Sequence, residues 1–195
     1  MIDEINKLRH NFFYFSGTMV QNGQINLDCG NNLENFDEDK FLNNYKKIQF
    51  FDFQGSTWAP HIIHKEIWKK VGGFSEEFFP GTGSDPDLNK KLWDLGVRIF
   101  KGLQHSKVYH FGSIVTRQKE KKFNTKTESG SRGSKIFLIK WGISIKFFRK
   151  YFLKSDTPYY GPLKDPTKNF IFFFDLILCK LYRLYLQIFF KNLTN

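Results

Sequence analysis

The sequence has little cysteine. Cys29 and Cys179 stand 150 positions apart, with no companion Cys or His at zinc-binding spacing. This excludes a disulfide framework and reads as two free thiols in a reducing compartment, placing the chain in the cytoplasm. An apolar run is missing at the start, where MIDEINKLRH is acidic and polar and does not resemble a signal peptide. A long uncharged run is missing near the end. Asp175, Lys180 and Arg183 interrupt residues 170–190, and each costs several kcal/mol near the centre of a bilayer, which argues against a transmembrane helix. No zinc-finger, helix-turn-helix or RNA-binding signature occurs, so nucleic acid is not an expected partner.

What is present is aromatic and unevenly charged. Of 195 residues, 24 are Phe, enough for a Phe-rich core or for carbohydrate or lipid contacts, though AT-rich coding bias has the same effect. The length suits one compact domain. Residues 1–100 carry 11 Lys/Arg against 14 Asp/Glu, a net of −3. Residues 101–195 carry 19 against 5, a net of +14. A basic half favours a phosphate-bearing substrate or an anionic membrane surface.

Local patterns predict the elements. Residues 11–20 read as a strand, 20–46 as turns with one short helix after Asn35, and 48–53 as a buried strand. Pro60–Val71 has the helical spacing Ile63, Ile67, Val71 and ends at Gly72-Gly73. Asp85 is expected to cap a helix over 86–95, with Pro86 first and Leu88, Leu92 and Leu95 on one face. Residues 97–100 and 107–110 read as strands around a link containing Gly102. Residues 117–135 are polar and basic, with mobility expected in the absence of ligand. Residues 136–153 and about 169–191 read as helices, separated by turns. Lys180, Arg183, Gln187 and Lys191 form a polar stripe on an otherwise apolar last helix, expected to lie on a membrane or against another domain.

The block from Gly55 to Ser113 carries the chemistry. Gly72-Gly73-Phe74-Ser75-Glu76-Glu77-Phe78 is followed by Ser84-Asp85-Pro86-Asp87-Leu88 and then Val108-Tyr109-His110. This order and spacing resembles the second half of the GT-A fold in family 2 glycosyltransferases, and Lys140-Trp141-Gly142 resembles a trailing motif of some members. The resemblance implies an α/β chain. Residues 1–118 would be the acceptor-side part of a GT-A domain, a mixed sheet with flanking helices. Residues 119–135 would be a basic flexible segment and 136–195 a helical region. It departs from the family in two ways. Ser84 stands where the family has Glu, and no Asp-x-Asp closes an apolar strand before residue 55. Asp37-Glu38-Asp39 has that spacing but follows no strand. The nucleotide-binding half is therefore expected to come from outside this stretch, upstream or on a separate chain.

The resemblance implies inverting transfer from a nucleotide-sugar donor to a hydroxyl of a glycan or glycolipid acceptor. Asp85 is the expected base, set about 3 Å from that hydroxyl, and an ordinary Asp is ionised at neutral pH. The same residue also suits a plain helix cap. Asp87 is its expected support, or simply a first-turn acid favoured by the helix dipole. His110 is expected to reach a Mn²⁺ or Mg²⁺ ion on the diphosphate, with a structural histidine as the alternative. Trp58 and Phe79 are acceptor candidates, since aromatic faces stack on sugars, with core packing as the alternative for Trp58. Arg117 and Lys119, with Lys121 and Lys122, suit the diphosphate. His61 and His64 share a predicted helix face without the H-E-x-x-H pattern of a zinc site. A carbohydrate-binding or assembly protein without turnover is the rival expectation.

Overall fold

The computed structural model describes residues 1–55, 57–112, 114, 126–127 and 130–189. Arg117, Lys119, Lys121 and Lys122 lie outside the described residues, as does most of the 119–135 segment.

The chain is mixed α/β, with a four-stranded mixed sheet and flanking helices. Elements in chain order are α1 (Ile2–Asn6), β1 (Phe13–Val20), α2 (Glu38–Asn44), β2 (Phe53–Gln54), β3 (His61–Ile63), α3 (Lys65–Val71), a 3₁₀ turn (Glu76–Phe78), α4 (Ser84–Asp94) and β4 (Ile99–Tyr109). A two-residue ladder follows (β5 Lys126–Thr127, β6 Gly130–Ser131), then α5 (Arg132–Trp141), α6 (Ile145–Phe147), a π-helical turn (Phe148–Leu153) and α7 (Phe170–Phe189).

The sheet order is β2-β4-β1-β3. β1 is central and buried throughout. It runs parallel to β4, from Phe13 opposite Ile99 to Val20 opposite Tyr109, with a register shift after Gly17. It runs antiparallel to β3, with Tyr14 opposite Ile63. Alternation sends successive β1 side chains to opposite faces. Phe13 and Phe15 join Ile99 and Leu103 in a small cluster that α1 covers through Ile5. Tyr14 and Phe100 face the large core with Leu88, Leu92 and Trp93 of α4 and Phe137 of α5. At about 25 cal/mol per Å² of apolar surface, each such residue contributes roughly 1.5–3 kcal/mol. Gly102 is required where β4 meets β2, because a Cβ there would run into the Phe53 ring.

Several expectations are corrected. The strand expected over 48–53 is confined to Phe53–Gln54, and the Phe50 and Phe51 rings stack on each other instead (4.5 Å). The helix expected from Pro60 starts at Lys65, because His61–Ile63 extends to pair with β1. His64 is its N-cap, accepting from the Glu66 amide at Nδ1 (3.3 Å). Asp85 is not a cap. Gly83 takes that position at φ 91°, and Ser84 begins α4. The two expected strands at 97–100 and 107–110 are parts of one β4. The helix expected over 136–153 begins at Arg132 and breaks at Gly142, whose φ is 70°.

Candidate functional site

The first turn of α4 holds two carboxylates in opposite surroundings. Asp87 is fully buried and saturated. Ser75 donates to it through Oγ (2.7 Å) and Trp141 through Nε1 (2.8 Å). Lys140 lies 2.9 Å away and Lys91 3.5 Å. Lys140 also reaches Glu77 (2.7 Å) and donates to Ser75 Oγ (3.1 Å). Burial alone would push the Lys140 ammonium down, but its bonds to Glu77 and Asp87 outweigh that and raise its pKa. One carboxylate thus ties the loop after α3 to both α4 and α5. Buried charges persist when paired and hydrogen-bonded in this way.

Asp85 sits two residues earlier and is only half-buried. No described residue donates a hydrogen bond to it or forms an ion pair with it. Partial burial lifts its pKa from 3.8 to about 6. It remains mostly ionised at neutral pH, as an acceptor of protons must be. Its charge is felt by Tyr14, whose hydroxyl donates to the Trp58 carbonyl (3.3 Å). Burial, then Asp85, push the Tyr14 phenol well above its ordinary range.

Unsatisfied polar groups gather round this point. Asn89, one turn beyond Asp85, is fully buried, and neither amide atom has a hydrogen-bond partner in the structure. Its amide lies beside the Tyr14 phenol but stays outside hydrogen-bond geometry. His61 stacks on Tyr14 (5.2 Å), its pKa lowered by burial and its Nδ1 buried without a partner. The Trp58 Nε1 is likewise buried and unpartnered. Sequence reasoning missed Asn89 and Tyr14. The one available signal was the i, i+4 spacing of Asp85 and Asn89 on a helix face.

A groove of about 540 Å³ opens beside the helix start, lined by Phe74, Ser75, Phe78, Phe79, Pro80 and Ser84. Phe79 is exposed there. Trp58 does not line that groove. It packs against Phe53 (6.2 Å) and under the Arg149 guanidinium (5.6 Å).

His110 is elsewhere. Its amide donates to the Val20 carbonyl (2.9 Å) at the far end of β1, and its own carbonyl accepts from Asn22 (3.1 Å). Six residues of strand separate Tyr14 from Val20, about 20 Å. A second cavity of about 670 Å³ lies at that end, lined by Asp28, Cys29, Asp37, Lys40 and Phe111 among others. Asp37 is occupied as the cap of α2, accepting from the Lys40 amide (2.8 Å). Among the described residues, no group of three His, Cys, Asp or Glu is placed to hold a metal ion. A lone imidazole is a poor match for hard, oxygen-seeking Mn²⁺ or Mg²⁺. Nor, among the described residues, is any helix long and apolar enough to cross a membrane. Compared with known proteins, the chain matches no family model, no curated sequence and no solved structure.

Proposed function

We propose that this chain is the acceptor-side, base-bearing part of an inverting sugar transferase of GT-A type. The observation that carries the reading is Asp85. It is a half-buried carboxylate with no partner among the described residues and a pKa near 6, fixed on a helix whose first turn Asp87 clamps in place. Rigid support of this kind is what a proton-accepting group needs.

In the reaction, an acceptor hydroxyl lies against Asp85, with the rest of the acceptor along the Phe74–Phe79 groove. Asp85 takes the hydroxyl proton as the oxygen bonds to the anomeric carbon. The bond from that carbon to the diphosphate oxygen breaks, the configuration inverts, and nucleoside diphosphate leaves. Holding the diphosphate falls to residues outside the described set, Arg117 and Lys119 among them, and to a donor-binding half on another stretch of chain. A Mn²⁺ or Mg²⁺ ion would enter with that half, where it neutralises charge on the diphosphate. His110 by itself does not build its site. The two buried free thiols fit a reducing cytoplasm.

The test is Asp85→Asn in an assembly that includes a donor-binding half, assayed for transfer from nucleotide sugars. The rate falls by about 10²–10⁴-fold, the range for losing general-base help, while donor binding survives. A protein that binds glycan without turnover would show no such loss. The 195-residue chain alone releases little or no nucleoside diphosphate.

A further inference from the structure

The last helix is turned inside out. Only Phe172, Cys179 and Leu186 of α7 are buried, and they are seven residues apart. At about 100° per residue they fall on one narrow line against the body. The polar residues share that side. Asp175 accepts from Lys150 (2.8 Å) and Tyr151 (2.6 Å), and Arg183 reaches back toward Gly142. Lys180 and Gln187 fall toward its rim. The outward half, centred on Phe170, Phe174, Ile177, Leu181, Tyr185 and Ile188, carries neither charge nor amide. All six are exposed, Phe170 at 83% and Leu181 at 59%. A helix on the surface of a globular protein in water shows the reverse arrangement. Of the polar stripe expected along the helix, Arg183 is half-buried against the body, Lys180 and Gln187 are exposed at its rim, and Lys191 lies outside the described residues.

We infer that α7 lies in the interface of an anionic lipid bilayer, with this outward face among the acyl chains. Three observations select lipid over a second copy of the chain. The face spans about half the circumference, wider than the two-position seam of a helix pair. The half of the chain that carries it has a net charge of +14, so two copies would bring like charges together while an anionic surface attracts them. Exposed Lys146, Lys168 and Lys180 flank the helix, placed to meet headgroups, while Lys150 is held by Asp175. The helix therefore lies on the surface, since its length and apolarity do not suffice for crossing. The inference is independent of the sugar-transfer reading.

The experiment is flotation of the 195-residue chain with phosphatidylcholine vesicles, with and without about one-third phosphatidylglycerol. The chain floats with the anionic vesicles, and binding weakens as salt is raised. Ile177→Glu with Leu181→Glu reduces the bound fraction at least about tenfold without lowering the melting temperature, because both side chains are exposed. Lys146→Glu with Lys180→Glu weakens binding to the anionic vesicles alone. A wild-type chain that stays unbound overturns the proposal. So does a double-Glu variant that floats like wild type. Sedimentation showing a dimer that the double-Glu variant dissolves, with no vesicle uptake, assigns the face to a second copy and overturns the lipid proposal too.

Discussion

The two ends of β1 use their polar side chains differently. At the Val20 end, the loop bonds to itself. Asn35 Oδ1 accepts from the Asn31 and Asn32 amides (2.9 and 3.0 Å), Asn32 from Glu34 and Asn35 (3.0 Å each), and Asp28 from Gly30 (3.0 Å). These side chains stand in for regular secondary structure, as Asn and Asp commonly do in turns. At the Tyr14 end, the Asn89 amide, the Trp58 indole and His61 Nδ1 are buried without such a partner, against Gln21 Oε1 at the Val20 end, and no described residue bonds to the half-buried Asp85 carboxylate. A buried unpaired polar group costs about 1–3 kcal/mol, which folding alone does not reward. The lesson is that a polar cavity by itself marks little. Polarity left unspent beside a rigid helix marks the better site.

That contrast can be broken at both ends. The largest effect is expected for Asp85→Asn in an active assembly, a loss of about 10²–10⁴-fold in transfer rate. An Asn variant that transfers at the parental rate would move the base elsewhere. The parental rate should rise with pH through about 6 and then level off, because Asp85 must be ionised to accept a proton. Next is Asp87→Ala, which leaves Lys140 and Lys91 without their buried partner. It should cost roughly 3–5 kcal/mol in a denaturant melt. A cost under about 1 kcal/mol would mean that the clasp adds nothing.

A smaller effect concerns stability against pH. The folded pKa of Asp85, about 6, lies above its ordinary 3.8, so the fold favours the protonated acid. The penalty is absent below the ordinary value, grows as pH rises through the window up to about 6, and is complete above it. Asp85→Asn should therefore be more stable than the parent by about 3 kcal/mol at pH 8, converging with it below about pH 3.5. Melts of both proteins across that range would show a constant difference if Asp85 were not desolvated. The smallest effect should come from the opposite end. Asp37→Ala removes the α2 cap and should cost about 1 kcal/mol with transfer unchanged.

Much of this architecture is legible along the chain, and the failures are instructive. β1 follows from an apolar, aromatic run, and α4 and α7 from helical spacing along the chain. β3 is hidden because Ile63, Ile67 and Val71 have helical spacing, and only pairing with Tyr14–Ser16 draws His61–Ile63 into the sheet. The segment 48–53 is aromatic enough for a strand, yet only Phe53 and Gln54 find a partner in β4. Asp85 was visible through its motif, but its unpartnered state was not. The role of Asp87 could not be read locally either, since Trp141 and Lys140 lie 54 and 53 positions further on. The Lys140-Trp141-Gly142 motif pointed at those residues without saying what they touch.

The contact between Gly102 and Phe53 constrains how this sequence can drift. The ring occupies the space that any side chain at 102 would need, so position 102 tolerates no substitution while Phe53 remains. A smaller residue at 53 would release it. The two positions should therefore change together or not at all. In a pairwise substitution library, Gly102→Ala should be lost in the parental background and recovered beside Phe53→Leu.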